Sequence, residues 1–171
     1  AVARLLLEAG LTVRAFLVGR REKMTDDCRE MERRLNAAGG TLEDFDPASD
    51  TQRSFSMEAD VLVDALFGIG LNSDIRGNAV TAIQWMNEAP APTVAADIAS
   101  GVETDTGRVL GCAVKAAKTV TFTLPKMGHL VGDGALCAGE LIVHSIGIPE
   151  ELVDGMVYSA QSITAELVRS W

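Results

Sequence analysis

The 171-residue sequence predicts an α/β fold, a three-layer αβα sandwich around a mostly parallel sheet. Five apolar runs have the length and composition of strands, and in the first half of the chain they alternate with amphipathic segments of helical periodicity. Such alternation forms βαβ units, whose strands are parallel and whose helices cover both sheet faces. With 47% hydrophobic residues the chain can bury one sizeable core, so we expect a single domain over residues 1–171.

The first predicted helix covers AVARLLLEAG at residues 1–10 and stops at Gly10. A βα unit begins with a strand, yet no strand precedes this helix in the sequence. We therefore expect a strand before residue 1 and interpret the chain as a fragment of a longer protein. Two further helices are predicted at TDDCREMERRLNAAGG, residues 25–40, and NAVTAIQWMNEA, residues 78–89, from the spacing of their apolar residues.

The five predicted strands are TVRAFLVG (12–19), VLVDALFG (61–68), TVAADIAS (93–100), KTVTFTL (118–124) and ELIVHSIGI (140–148). The last two follow a glycine-rich stretch with few helical windows. We expect them to pair as an antiparallel or mixed edge of the sheet.

Composition excludes several classes of partner. The chain has 15 Lys and Arg against 24 Asp and Glu, a formal charge of -9, which repels nucleic acid and anionic membranes. No apolar run reaches the roughly 18 residues of a membrane span, and AVARLLLEAG has no signal-peptide features.

Cys28, Cys112 and Cys137 are far apart and form no CxxC motif. Unpaired thiols in a cytoplasmic protein are the expectation.

Ligands of open α/β sheets bind at the carboxyl ends of the strands. The run VLVDALFGIGLNSDIRGN places Asp64 inside an apolar strand and a glycine-containing loop, residues 68–74, before a helix. Small residues there let backbone N–H groups approach an anion beside the positive helix end. An ordinary strand-to-helix loop fits the same pattern. Asp64 could satisfy nearby N–H groups, but a buried carboxylate is costly unless it is paired or bound to a cation.

Asp97 and Ser100 follow the next strand in VAADIASGVETDTGRV. Asp97 could serve only to stabilise a turn. Two carboxylates at adjacent strand ends, with a hydroxyl and without His or Cys, favour an alkali or alkaline-earth cation. We therefore expect Asp64, Asp97 and Ser100 to lie close together. A single TDTG motif does not make an aspartic protease, because that chemistry needs two carboxylates that share a proton.

The stretch TLPKMGHLVGDGALCAGE brings a third set of polar residues to a strand exit. Lys126 either pairs with an acidic group of a ligand or is a solvated lysine. His129 is interpreted as a loop residue rather than a base, and His144 as a residue of the sheet.

Three stretches together resemble the YjeF N-terminal domain family of NAD(P)H-hydrate epimerases: VDALFGIGLNSDIRG, VAADIASGVETDTGRV and KTVTFTLPKMGHLVGDGALCAGELIVHSIGIP. AVARLLLEAGLTVRAFLVG is similar to the segment that follows the family's GNNGGDG loop. The resemblance spans nearly the whole chain and implies a Rossmann-like fold. The sequence departs from the family pattern at Ala99, where the family usually has Pro, and at GVETDTG, which replaces a Gly-Leu-Asp run.

The resemblance implies an isomerase that interconverts the R and S forms of NADH or NADPH hydrated at C6. It implies a potassium ion bound by Asp64 and Ser100, and Asp97 as the catalytic acid and base. The implied substrate-binding residues are Gly68, Ile69, Gly70, Leu71, Asn72, Ser73, Asp74 and Asp97. The GNNGGDG loop, which supplies part of the family's substrate site and an Asn ligand of the cation, is absent from the sequence. The fragment alone is therefore expected to be inactive.

The tail ITAELVRSW resembles the start of a linker to an NAD(P)H-hydrate dehydratase, and the family resemblance also implies a homodimer. A non-catalytic dinucleotide-binding or partner-binding module is the alternative, and it would not need Asp97. A phosphotransferase would need magnesium-binding carboxylates around a nucleoside triphosphate. Direct hydride transfer is disfavoured because no full GxGxxG occurs.

Overall fold

A computed structural model describes residues 1–158, 160, 163 and 168–170. Its helices are α1 (Val2–Glu8), α2 (Asp26–Ala37), α3 (Asp50–Glu58), α4 (Asn78–Glu88), α5 (Gly134–Cys137) and α6 (Glu150–Asp154). Its strands are β1 (Ala15–Leu17), β2 (Leu42–Asp44), β3 (Leu62–Asp64), β4 (Thr93–Ala96), β5 (Lys118–Phe122) and β6 (Glu140–His144). Short 3₁₀ helices cover Arg21–Lys23 and Met127–His129. Most of the predicted linker, residues 163–171, lies outside the described residues.

The strands form two parallel sheets, β1-β2 and β3-β4-β5-β6. The predicted α/β class with a parallel sheet is confirmed. The antiparallel or mixed edge was wrong, because β5 pairs in parallel with both β4 and β6. Between β5 and β6 the chain passes through the second 3₁₀ helix and α5, and this crossover returns it in the same direction.

The helices pack in pairs, since α1 contacts α2 and α3 contacts α4. β1 and β3 are not paired with each other in the part of the chain that the structure describes. The strand expected before residue 1 stays a prediction.

β2 and α3 were not predicted from the sequence, because their residues are mostly polar. α3 begins after Ser49, whose hydroxyl accepts the N–H of Gln52 at 3.2 Å. The Gln52 side chain is buried and ties α3 to the sheet by hydrogen bonds, where an apolar side chain would usually do so by packing. It donates to the Asp44 carbonyl at 3.0 Å and accepts the Asp46 N–H at 2.9 Å. These bonds fix α3 to the end of β2.

The best-buried part of the core lies between β4 and α4 and continues past the end of β4. Ala95, Ile98 and Val102 pack with Ile83 of α4 and with Val114. The loop that follows β4 is therefore anchored in the core at its base. This anchoring gives the polar residues of the same loop a fixed place at the carboxyl edge of the sheet.

Cys28, Cys112 and Cys137 are free thiols, as the sequence predicts. No helix among the described residues has both the length and the apolar character needed to cross a membrane.

Candidate active site

Asp64 and Ser100 join the ends of two neighbouring strands. Asp64 is the last residue of β3, and Ser100 lies four residues beyond β4. The Ser100 N–H donates to Asp64 Oδ2 at 2.7 Å, and the Ser100 hydroxyl donates to Asp64 Oδ1 at 2.6 Å. The Ser100 hydroxyl also accepts the N–H of Phe67 at 2.9 Å, which holds the start of the loop after β3. Both side chains are about 1% exposed.

Burial raises the pKa of Asp64, while the two hydrogen bonds from Ser100 and one from the Leu66 N–H act in the opposite direction. No Lys or Arg of the described residues forms an ion pair with this carboxylate. A buried carboxylate without a counter-charge favours either a proton or a cation.

Gly101 allows the chain to turn back directly after Ser100. Its φ is +100°, and a Cβ atom at this position would lie 1.9 Å from the Cys112 carbonyl oxygen. The carbonyls of Ser100 and Gly101 accept the N–H groups of Val114 and Leu110 at 2.9 and 2.8 Å. The returning chain therefore packs directly against the Ser100 turn and holds it in place.

Asp97 has an unusual backbone conformation directly after β4. Its φ is +70°, and the N–H of Ile98 donates to the Ala96 carbonyl across it at 3.0 Å. An i to i+2 hydrogen bond around a residue with positive φ defines the rare, strained form of the γ-turn. This turn ends β4 at Ala96, four residues before the end of the strand predicted over residues 93–100.

The neighbouring strand ends in the same way. Thr123 has a φ of +65°, and the N–H of Leu124 donates to the Phe122 carbonyl across it at 2.7 Å. A β-branched residue at positive φ is a genuine outlier. The Thr123 hydroxyl oxygen is buried and has no hydrogen-bond partner among the described residues. Backbone strain of this kind is concentrated at functional sites, where surrounding contacts must maintain it.

The Asp97 carboxylate receives its hydrogen bonds on one oxygen. Oδ1 accepts the Thr121 hydroxyl at 3.0 Å, the Phe122 N–H at 3.2 Å and the Lys126 ammonium group. No described residue donates to Oδ2. Oδ2 is therefore the oxygen available to a ligand.

Lys126 pairs with Asp97 and is held by two more oxygens. Its Nζ lies 2.7 Å from the Thr121 hydroxyl and 3.2 Å from the Phe122 carbonyl. Burial raises the pKa of Asp97, but the hydrogen bond from Lys126, together with those from Phe122 and Thr121, outweighs burial and lowers the pKa below its ordinary value. Asp97 is therefore ionised at neutral pH.

His129 is about 4% exposed and belongs to the 3₁₀ helix that follows Lys126. Its Nδ1 accepts the Lys126 N–H at 3.0 Å, and its Nε2 lies 2.8 Å from the Asp97 carbonyl oxygen. Burial lowers the pKa of His129, and the nearby Lys126 charge lowers it further, against opposing contributions from Asp97.

The loop of residues 68–74 is mostly exposed and lies between β3 and α4. A Cβ atom added to Gly68 or Gly70 would meet nothing within 4 Å, and neither residue has a positive φ. Neither packing nor backbone conformation therefore explains these two glycines. Open space above a loop of small residues suits a ligand that approaches the backbone closely.

The structure brings the predicted residues to one edge of the sheet. Asp64 and Ser100 are in direct contact, and Asp97 lies on the same loop as Ser100. The loop of residues 68–74 follows Phe67, whose N–H donates to the Ser100 hydroxyl. The sequence interpretation missed the pairing of Lys126 with Asp97 and the burial of His129. Opposite charges at the ends of neighbouring strands were the available signal for Lys126. His129 had no comparable signal, because a single 3₁₀ turn has no periodic pattern.

The donor set around Asp64 fits an alkali cation. It combines a carboxylate that lacks a counter-charge with the Ser100 hydroxyl, and both retain oxygen lone pairs. Within the described residues no cluster of three or more His, Cys, Asp or Glu groups could hold a metal ion.

The fold and this edge define a class: a Rossmann-like α/β protein with a candidate ligand site at the carboxyl ends of its parallel strands. A family model described as YjeF-related protein N-terminus matches residues 1–128. The chain belongs to this family.

Two curated relatives extend the match. The bifunctional NAD(P)H-hydrate repair enzyme Nnr of Moorella thermoacetica is 40% identical over 171 residues, which cover 99% of this chain and 32% of that protein. The NAD(P)H-hydrate epimerase of Oenococcus oeni is 36% identical over 150 residues, 88% of this chain and 68% of that protein. The chain thus spans about a third of the length of the bifunctional relative, 32%.

A solved structure agrees on the fold. The crystal structure of yeast ynu0, YNL200c, superposes with a TM-score of 0.71 and covers 93% of this chain and 67% of that one. At 20% identity the likeness supports the shared fold alone.

The Lys126 contact generates a prediction about the ionisation of Asp97. Replacing Lys126 with Met removes the charge and the hydrogen bond but keeps most of the side-chain volume. Burial then dominates, so the pKa of Asp97 should rise. A carbon-13 NMR titration of the carboxyl groups measures this shift. The exposed Lys118, which pairs with Glu140, provides the control Lys118→Met. An Asp97 titration unchanged by Lys126→Met would contradict the pairing.

Proposed function

We propose that this chain forms the epimerase part of an NAD(P)H-hydrate repair protein and interconverts the R and S epimers of C6-hydrated NADH and NADPH. The observation that carries the proposal is the Asp97–Lys126 ion pair, held at a strained turn on the sheet edge where ligands of this fold class bind. The names of the relatives from Moorella thermoacetica and Oenococcus oeni support the same activity.

The substrate's phosphates would bind along the loop of residues 68–74. Gly68 and Gly70 leave the backbone accessible, and α4 begins after Gly77 without a side-chain cap. The N–H of Val80 donates to the Gly77 carbonyl at 3.0 Å, and the N–H groups of the two residues before it are left to face an anion. The proposed contacts run from Gly68 to Asp74 and end at Asp97, close to the nicotinamide ring.

The chemistry at C6 needs a base and an acid. When the ring opens, the Asp97 carboxylate accepts the proton of the C6 hydroxyl as the carbonyl forms. The bond from C6 to the ring nitrogen breaks, and that nitrogen takes the electron pair and a proton, which the Lys126 ammonium group beside Asp97 can supply. Reversal on the other face of the carbonyl gives the other epimer. If hydroxide is lost instead, Lys126 protonates the departing oxygen and Asp97 deprotonates the returning water.

The lowered pKa of Asp97 keeps it in the carboxylate form, which a proton acceptor in the resting site must have. The sequence alone assigned both proton transfers to Asp97. Lys126 makes a division of labour possible, because a proton donor and a proton acceptor already lie side by side at the same strand end.

The potassium ion is part of the proposal. Asp64 and Ser100 would hold it together with oxygens from the rest of the whole protein. When bound, the ion would compensate the buried carboxylate and fix the loops after β3 and β4 rather than act as a strong Lewis acid. The raised pKa of Asp64 supports this role, because burial opposes an uncompensated charge there.

The bifunctional relatives support a natural protein that also carries a dehydratase activity. The homodimer and the cytoplasmic location stay predictions.

Asp97→Asn keeps the size of the side chain and removes the base. In the whole protein, exchange between the two epimers should fall by about 100-fold or more, the usual effect of losing a general acid or base. Proton NMR of a purified epimer of NADPH hydrate measures the exchange directly. Asp60→Asn is the matched control, because Asp60 is exposed and precedes β3 at the opposite edge of the sheet. Exchange at the wild-type rate in Asp97→Asn would refute the role and favour a non-catalytic binding module.

The cation site makes a separate prediction about stability. Because the pKa of Asp64 is raised, its contribution favours the folded state at acid pH and is lost as the pH rises through that pKa. Potassium should offset this loss, so the Tm should be higher in potassium chloride than in tetramethylammonium chloride at equal ionic strength, increasingly so at higher pH.

The same comparison in Asp64→Asn should show no difference between the two salts, whereas Asp60→Asn should retain it. Equal Tm values for the wild-type protein in both salts at neutral pH would argue against a potassium site.

A further inference from the structure

His129 contacts the backbones of both members of the Asp97–Lys126 ion pair. Each of its two ring nitrogens contacts one of these residues. Nδ1 lies 3.0 Å from the Lys126 nitrogen, and Nε2 lies 2.8 Å from the Asp97 carbonyl oxygen. An N–H group can only donate and a carbonyl oxygen can only accept. Nδ1 is therefore unprotonated and Nε2 carries the hydrogen, which makes the ring a neutral imidazole of defined tautomer.

The contact between His129 and Asp97 falls on a residue whose backbone conformation is strained. Asp97 occupies a left-handed backbone conformation, which is strained and persists only when the surroundings maintain it. The Asp97 N–H donates to the Val120 carbonyl at 2.8 Å, and the Asp97 carbonyl oxygen contacts His129 Nε2. Both backbone polar groups of Asp97 are therefore held by hydrogen bonds. The backbone conformation in turn sets the direction of the carboxylate.

The segment that carries His129 is itself fixed. The N–H of Gly128 donates to the Thr104 carbonyl at 2.6 Å, and the N–H of Gly134 donates to the Gly107 carbonyl at 2.7 Å. A Cβ atom on Gly128 would lie 2.6 Å from the Glu103 carbonyl oxygen, so the two loops are in backbone contact. The loop of residues 103–107 therefore holds the segment that carries the imidazole, and the imidazole in turn holds the backbone of the ion pair.

We propose that His129 is a positioning residue, which bridges Lys126 and Asp97 as an Nε2-protonated imidazole and neither gives nor takes a proton during turnover. The proposal rests on the epimerase site described above, but its structural part holds for any ligand chemistry at Asp97. The sequence interpretation of His129 as a plain loop residue did not include this role.

Nitrogen-15 NMR of the histidine rings in the wild-type protein tests the tautomer without any substrate. The expected result is a protonated Nε2 and an unprotonated Nδ1 for His129 through neutral pH. The exposed His144 serves as the internal comparison. A ring protonated at Nδ1, or a cationic ring at neutral pH, would overturn the proposal.

Two variants separate the two contacts. In His129→Asn the amide oxygen takes the place of Nδ1, so the Lys126 N–H keeps its acceptor and the Asp97 carbonyl loses its donor. In His129→Gln the amide reaches the place of Nε2, so Asp97 keeps its donor and Lys126 loses its acceptor. Both should raise the pKa of Asp97 in a carbon-13 titration, because a displaced ion pair no longer offsets burial. His144→Gln should leave it unchanged.

Kinetics in the whole protein then distinguish positioning from catalysis. Both variants should lower kcat on the order of 10- to 100-fold, keep KM within about twofold, and retain the shape of the pH profile. An unchanged Asp97 titration together with wild-type kcat in both variants would overturn the proposal, as would loss of one limb of the pH profile, which would make His129 a catalytic residue. If the wild-type protein shows no epimerase activity, the proposed function fails, while the NMR measurements still decide the role of His129.

Discussion

The hydrogen-bonded contact between Asp64 and Ser100 is the interaction on which the carboxyl edge of the sheet depends. It links the end of β3 to the loop after β4 through two bonds, and the Ser100 hydroxyl extends the link to the loop that starts at Phe67. Removing one partner would leave a buried polar group unsatisfied, which costs more than the bond contributes. The contact therefore fixes the relative position of the proposed phosphate loop and the proposed acid–base pair.

The strands β4 and β5 both end in strained turns beside the candidate site. Both strands stop in tight turns at non-glycine residues with positive φ, Asp97 and Thr123. These turns end the strands at the carboxyl edge of the sheet. The conformations are costly, and the contacts of Lys126 and His129 with Asp97 help to maintain them. Strain and ion pairing thus act on the same residue, so its geometry and its charge are determined together.

The parts of the fold with strong local patterns were predictable. The apolar strands and the amphipathic helices α2 and α4 follow from periodicity, and Asp64 was conspicuous because a carboxylate interrupts an apolar run. The predicted strands were too long at their carboxyl ends, since the residues there form turns whose causes lie elsewhere in the chain. β2 and α3 were missed because buried Gln52, rather than an apolar stripe, ties them together.

The contacts of Lys126 and His129 were beyond local patterns for a related reason. Each reaches a residue about thirty positions earlier in the chain, and only the parallel pairing of β4 with β5 brings them together. The pairing direction of β6 was also mistaken, because glycine-rich sequence between β5 and β6 hides the crossover that α5 provides. Residue types at strand ends thus indicated where the site lies, whereas the partners of each group required the folded chain.

In the proposed reaction the carboxylate oxygen Oδ2 of Asp97 faces C6 of the bound substrate. A crystal structure of the whole protein with hydrated NADPH bound tests it most directly. The C6 hydroxyl should lie within hydrogen-bond distance of Asp97 Oδ2, with the phosphates along residues 68–74. A nicotinamide ring bound away from Asp97, or phosphates held at another edge of the sheet, would contradict it.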